Sequence, residues 1–202
     1  MLKNKTLTYI SLFSCAGVGC FGFKKAGFEC IATNELIERR INVQKFNDKC
    51  KFDSGYICDD ITTEETKNKF MELIDRPYIR RVSFLGGECL AEQNLDEVLS
   101  LIKEIRISLP EKTIWLYTGF RWNYIMNYQP VETDDFDYIE ESYNDGLMEK
   151  RKRIISLCDV VIDGEYIDEQ KDLTLAYRGS KNQHVIDVKQ SLAQNKMVLY
   201  CD

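Results

Sequence analysis

The sequence predicts an α/β protein built on a mainly parallel sheet. Three observations predict it. Short β-rich apolar runs alternate with longer segments of helical period along the chain. Two of those runs, Leu7–Phe13 and Arg81–Leu85, end in small-residue or glycine turns. Of the 202 residues, 44% are hydrophobic and 30% charged, the balance of a soluble globular chain, and no apolar run is long enough to span a bilayer.

The elements follow in order. Leu7–Phe13 reads as a buried parallel strand, apolar and ended by small residues. The turn Ser14–Gly19 opens a helix to about Ala26, where Gly17 and Gly19 permit close approach of a ligand to the backbone. A helix start there adds unpaired N–H groups. Gly27–Thr33 reads as a turn and second strand, with Glu35 at its carboxyl end, where an acid can accept hydrogen bonds from both hydroxyls of a ribose. Leu36–Phe46 reads as an amphipathic helix, and Asp60 and Ile61 fall at the next strand end or loop. This strand, glycine loop, helix, strand and acid make the start of a Rossmann-like cofactor domain, although Gly-x-Gly alone also fits an ordinary βαβ turn.

The wording of the segment carries more than its pattern. Ser11-Leu-Phe-Ser-Cys-Ala-Gly-Val-Gly19, Gly22-Phe-Lys-Lys-Ala-Gly-Phe28, Ala32-Thr-Asn-Glu35 and Asp60-Ile61 resemble the first three motifs of the C5-cytosine DNA methyltransferases. The resemblance implies an S-adenosyl-L-methionine site. Phe13, Ala16, Gly17 and Gly19 would be its loop contacts, Glu35 would bind the ribose, and Asp60 and Ile61 the adenine. Cys15 stands where that family usually has Gly. The family's nucleophile, the Cys of Pro-Cys, has no counterpart, because Pro77, Pro110 and Pro130 are followed by Tyr, Glu and Val. Its later catalytic motifs and room for a base-flipping recognition domain are also missing. Cytosine methylation by this chain alone is not expected.

Thr62–Asp75 reads as a helix capped by Thr62 or Thr63, broken by Arg76-Pro-Tyr, with no Gly/Ser-rich linker nearby. Arg81–Leu85 is the next strand and Gly86-Gly87-Glu88 its turn. Leu95, Val98, Leu99, Ile102, Ile105 and Leu109 form one core face of a helix that Pro110 stops. Thr113–Tyr117 is a strand ending in Thr118-Gly119-Phe120. Glu132 through Asp145 is a charged insertion, read as a solvated loop or short helix. Lys150–Ile155 is helical, Val160–Asp163 a short parallel strand ended by Gly164, Arg178–Gln183 a polar loop, and Met197–Tyr200 a terminal strand.

Leu85-Gly-Gly-Glu88, Ile114-Trp-Leu-Tyr-Thr-Gly-Phe120, Cys158-Asp-Val-Val-Ile-Asp-Gly164 and Leu173–Asp187, with Arg178-Gly-Ser-Lys-Asn-Gln183 inside it, resemble the C-terminal two thirds of the anaerobic ribonucleotide reductase activating proteins. Those are radical S-adenosylmethionine enzymes. The resemblance implies that Gly86, Gly87 and Glu88 bind the methionyl amino group, and that the partner is the reductase catalytic subunit. Cys89 stands where the family usually has Pro. Thr118, Asp163 and Arg178–Gln183 read as structural capping and loop closure rather than as catalytic groups.

That family holds a 4Fe-4S cluster through CxxxCxxC, which this chain lacks. Cys15, Cys20 and Cys30 are spaced differently, with Cys50 and Cys58 further on, so the motif argues against a cluster and no metal ligand is assigned. Together the resemblances divide the chain into a methyltransferase-like segment, 1–72, and an activase-like segment, 74–202. They imply a Rossmann-like S-adenosylmethionine-binding start followed by a partial parallel (β/α) sheet of radical-S-adenosylmethionine type, with the chemistry of each ancestor incomplete.

Composition narrows the rest. Eight cysteines in a chain that reads as cytoplasmic suggest thiols or a metal site rather than disulfides. The polar residues and glycine loop at the end of Leu7–Phe13 argue against an export signal. A net charge of −6 argues against a broad nucleic-acid surface, so DNA is the lesser partner and a membrane is not expected. The single histidine, His184, argues against a Ser-His triad or a His-rich metal site.

Overall fold

The computed structural model describes residues 8–12, 14, 21–25, 27–85, 87–129 and 138–201. The first strand, β1 (Thr8–Leu12), is buried from Tyr9 to Leu12, as a strand with neighbours on both edges must be. The helix α1 (Phe21–Lys25) lies against it, and Phe23 stacks on Tyr9 at 5.1 Å between ring centroids and meets Phe28 edge-on at 5.5 Å. Gly27, at φ 82°, makes the turn into β2 (Glu29–Asn34). Then come α2 (Glu38–Phe46), the short β3 (Tyr56–Ile57), α3 (Glu64–Ile74) and β4 (Arg81–Phe84).

The chain divides into two compact units: residues 1–89 with 104–115, and residues 90–103 with 116–202. In the first unit the strand order is β3-β2-β1-β4. β1 pairs in parallel with β2 on one side and β4 on the other, and β2 pairs in parallel with β3. Strand order therefore reverses at β1, the arrangement of doubly wound sheets, in which ligands sit beyond the carboxyl ends of the strands at the reversal. Thr63 caps α3 by accepting from the Thr66 N–H, as the sequence expects. In α2 only Ile41 and Gln44 are buried, while Val43 and Phe46 are exposed, so the helix is less amphipathic than its sequence suggests.

The helix α4 (Leu95–Ser108) and the strand β5 (Thr113–Tyr117) contribute residues to both units. The expected core face of α4 holds except that Leu101 is buried and Leu99 only half so. The second unit continues with α5 (Trp122–Met126), α6 (Tyr138–Ser156), β6 (Val160–Asp163), β7 (His184–Asp187), α7 (Val188–Gln194) and β8 (Leu199–Cys201). Residues 132–137 of the charged insertion lie outside the described residues; from Tyr138 the chain is one helix through Ser156, longer than the segment Lys150–Ile155.

The strand order here runs β6-β7-β8, and both pairings are antiparallel. The sequence reading missed β7 and α7. The eleven residues from Val188 to Val198 that join β7 to β8 fall short of the dozen or more that a parallel crossover usually takes, so the chain folds back instead. No helix among the described residues is long and apolar enough to cross a membrane.

Candidate functional site

Parallel pairing brings the carboxyl ends of β1, β2, β3 and β4 to one end of the first unit. Backbone bonds carry the ladder past the strands. Ser14 N donates to Asn34 O at 3.0 Å and Glu35 N to Ile57 O at 3.1 Å. Ser11 Oγ donates to Leu85 O at 3.2 Å, and Asn34 Nδ2 to Asp59 O at 2.9 Å. Beneath this end lies a buried polar cluster. Gln44 Nε2 donates to Ser14 Oγ at 2.8 Å, Ser14 Oγ to Asn34 O at 3.0 Å, and Lys49 Nζ to Thr33 Oγ1 at 3.0 Å.

Two of the expected acids sit at this end. Glu35 follows β2 and is 5% exposed. Its Oε1 accepts from Ile37 N at 3.1 Å and Arg40 Nη1 at 3.3 Å, so its charge is met by a cation and a backbone donor. Glu88 follows β4 and is half-buried, next to Gly87, which takes φ 61°, a conformation glycine adopts without strain. The neighbouring Cys89 is fully enclosed, and burial, with a smaller contribution from the Glu88 charge, pushes its thiol up to about 12.

The adenine-site expectations land differently. Asp60 is exposed, and its Oδ1 accepts from Thr62 N at 2.9 Å, shaping the turn into α3. Ile61 is buried as a core residue. Phe13, Ala16, Gly17, Gly19 and Gly86 lie outside the described residues, as do Cys15 and Cys20.

In the second unit Asp163 is a hub. It is 2% exposed and accepts from Trp122 N at 2.8 Å, His184 N at 3.0 Å and His184 Nδ1 at 2.9 Å. Thr118 Oγ1 accepts from Phe120 N at 3.1 Å. The polar loop Arg178–Gln183 closes on itself: Gln183 Oε1 accepts from Gly179 N and Ser180 N, while Gln183 Nε2 donates to Gly164 O at 2.8 Å. Asn182 Nδ2 donates to Glu165 O at 2.7 Å. These bonds are capping and loop closure, the role the sequence favours for this stretch.

An iron–sulfur cluster needs several thiolates converging on one point. Among the described residues no group of three or more His, Cys, Asp or Glu is placed to hold a metal ion. The described cysteines therefore do not fit a cluster. Their one close pair, Cys30 and Cys50, does not stand out as a site from sequence; a spacing of twenty residues carries no signal until β2 and the segment before β3 are seen side by side.

Comparison with known proteins adds family information. The family described as "4Fe-4S single cluster domain" matches residues 14–186, running across the junction expected between residues 72 and 74. The anaerobic ribonucleoside-triphosphate reductase-activating protein of Salmonella typhi is 29% identical over 125 residues, 61% of this chain and 67% of that protein. Its counterpart in Vibrio cholerae serotype O1 is 31% identical over 123 residues, 60% of this chain and 65% of the relative. The counterpart in Enterobacteria phage T4 is 26% identical over 123 residues, 61% of this chain and 63% of the relative. The matches thus span about two thirds of the relatives' lengths. It is the C-terminal two thirds of the chain that resembles these activating proteins.

Proposed function

The chain belongs to the 4Fe-4S single-cluster-domain family, and from that premise we propose that it is an S-adenosylmethionine-binding relative of the proteins that activate anaerobic ribonucleoside-triphosphate reductase. The observation that carries this reading is the reversal of strand order at β1, with Glu35 and Gly87-Glu88 following the two strands that flank it. In this reading Glu88 and the backbone at Gly87 take the methionyl amino group. Glu35 takes the ribose hydroxyls, sharing its carboxylate with Arg40, and Phe13, Ala16, Gly17, Gly19 and Gly86 are the further cofactor contacts that the sequence motifs imply. Asp60, exposed on the turn before α3, borders the adenine, next to the buried Ile61. Bound cofactor supplies a sulfonium centre with activated C–S bonds; the chain's residues bind and orient it.

The proposed partner is the catalytic subunit of an anaerobic reductase. Without the CxxxCxxC spacing, and with no converging cysteine set among the described residues, the activating chemistry is proposed to be impaired. Residues 1–72 are proposed as the methyltransferase-like segment and residues 74–202 as the activase-like segment.

The test is calorimetric titration of S-adenosylmethionine into the wild type, Glu35→Ala and Glu88→Ala. Each carboxylate makes hydrogen bonds of the charge-assisted kind, worth about 1.5–3 kcal/mol, so each substitution is expected to weaken binding on the order of 10–100-fold. No binding by the wild type would overturn the proposal. Transfer of labelled methyl from the cofactor to DNA would favour a truncated DNA (cytosine-5-)-methyltransferase instead. Stoichiometric iron with cluster absorbance after reconstitution would restore a full activase.

A further inference from the structure

Cys30 lies on β2, and Cys50 on the segment leading to β3, and the two residues form an isolated parallel β-bridge. Their sulfurs are 3.6 Å apart, and the Cys50 sulfur is placed to donate to the Cys30 sulfur or, at 3.7 Å, to Gly55 O. The backbone pins both. Lys51 N donates to Cys30 O at 2.8 Å, and Cys50 N donates to the Tyr56 hydroxyl at 2.9 Å. Gly55 closes the turn over them so tightly that a Cβ there would run into Ile31 O and meet the Cys50 Cβ at 3.3 Å. A disulfide needs sulfurs about 2.05 Å apart, and the β-bridge already holds the two backbones side by side.

The two thiols differ in access and in character. Cys30 is 2% exposed, while Cys50 is half-buried. The Cys50 hydrogen bond, followed by the positive charge of the buried Lys49, holds the Cys30 thiol below its ordinary range against the opposing effect of burial. Cys50 is thus the sulfur an outside reagent reaches, and Cys30 the nucleophile waiting behind it.

We propose that Cys30 and Cys50 are a redox-active dithiol that closes to a disulfide by exchange with a low-molecular-weight disulfide of the glutathione class, entering at Cys50. The Cys50 thiol loses its proton to solvent and its sulfur attacks one sulfur of the small disulfide; that S–S bond breaks, and one thiolate leaves with a mixed disulfide on Cys50. The Cys30 sulfur then attacks the Cys50 sulfur and expels the second thiolate. The two protein protons end on the two released thiols. The protein dithiol is oxidised by two electrons and the small disulfide reduced by two, so no further reactant is needed. The bond joins β2 to the approach to β3, the two strands whose ends Glu35 spans.

The test uses the full chain, incubated with oxidised glutathione, blocked with N-ethylmaleimide and mapped by peptide mass spectrometry. The expected result is loss of both thiols together, a linked peptide pair containing Cys30 and Cys50, and recovery of both thiols in excess reduced glutathione. The Cys30→Ala variant is expected to stop at a glutathione adduct on Cys50. Separate maleimide labels on Cys30 and Cys50 after oxidation would overturn the proposal. So would a Cys50–Cys58 link in the wild type. A Cys30→Ala variant that folds but carries no adduct would overturn entry at Cys50. The wild-type map decides the pairing on its own if that variant does not fold.

Discussion

Removing the Asp163 carboxylate tests its role as a structural hub. Asp163 is 2% exposed and is the acceptor for three donors from two other elements, at 2.8, 3.0 and 2.9 Å. One of them, Trp122 N, is the first N–H of α5, whose own N-cap residue Arg121 supplies no side-chain bond. A carboxylate from β6 therefore does the capping. Asp163→Ala strands two backbone N–H groups that gave charge-assisted bonds. At about 1.5–3 kcal/mol each, the expected loss is about 3–6 kcal/mol, or a melting temperature lower by roughly 6–24 °C for a chain of this size. Asp163→Asn keeps one acceptor oxygen and is expected to lose about half as much. His184→Ala removes one bond from a side chain that is 43% exposed, and is expected to lose under about 1 kcal/mol. Urea unfolding followed by tryptophan fluorescence measures all three, because Trp122 is buried beside the carboxylate. Equal losses for Asp163→Ala and His184→Ala would refute the hub, and so would an Asp163→Ala variant as stable as the wild type.

The remaining predictions follow from single contacts. Cys89, fully enclosed, is expected to resist maleimide in the folded protein at pH 8 and to react only on unfolding. Its folded pKa of about 12 lies above its ordinary 9.0, so the stability contributed by the neutral thiol is complete below pH 9 and lost as pH rises toward 12; a Cys89→Ala variant should show a shallower fall in stability over that range. Gly55→Ala drives a Cβ into Ile31 O, and the forced shift should lower stability by about 1–3 kcal/mol in urea titration. Thr63→Ala removes the cap of α3 and should lower stability by about 1 kcal/mol, with a matching loss of helical circular dichroism at the transition.

The strands β1, β2, β4, β5 and β6 were legible because each is a short apolar run with a turn signal behind it, and burial of those runs is what makes the sheet. The helix α4 was legible from its period and from Pro110. What escaped reading depended on partners far along the chain. The strand β7 is a four-residue stretch, His184–Asp187, whose polar ends hide its two buried residues, Val185 and Ile186. The antiparallel return depends on a connection too short to cross over, which composition does not announce. At the site, Glu35 stood out because an acid at a strand's carboxyl end can accept hydrogen bonds from both hydroxyls of a ribose. The buried carboxylate of Asp163 was legible as a cap, whereas its three donors were not, since they come from positions 41 and 21 residues away. Lys49, Cys30 and Cys50 gave no pattern at all, because nothing in the sequence places β2 beside the residues before β3.

Topology and side-chain chemistry also differ in how much substitution they survive. A cluster is held by a few thiolates, and one changed spacing removes it. A strand-end pocket is held by the order of parallel strands, by backbone groups and by one acid per strand, and core packing preserves all of these for its own reasons. A chain of this family without the cysteine spacing is therefore expected to keep cofactor affinity that does not depend on iron. Titration of S-adenosylmethionine before and after exhaustive chelation tests this on the same sample. Dissociation constants within about twofold of each other, a difference under about 0.5 kcal/mol, are expected if Glu35 and Glu88 hold the cofactor. A large loss of affinity on chelation would show that iron takes part in binding. It would move the ligands to cysteines beyond the described residues and refute the separation of pocket from cluster.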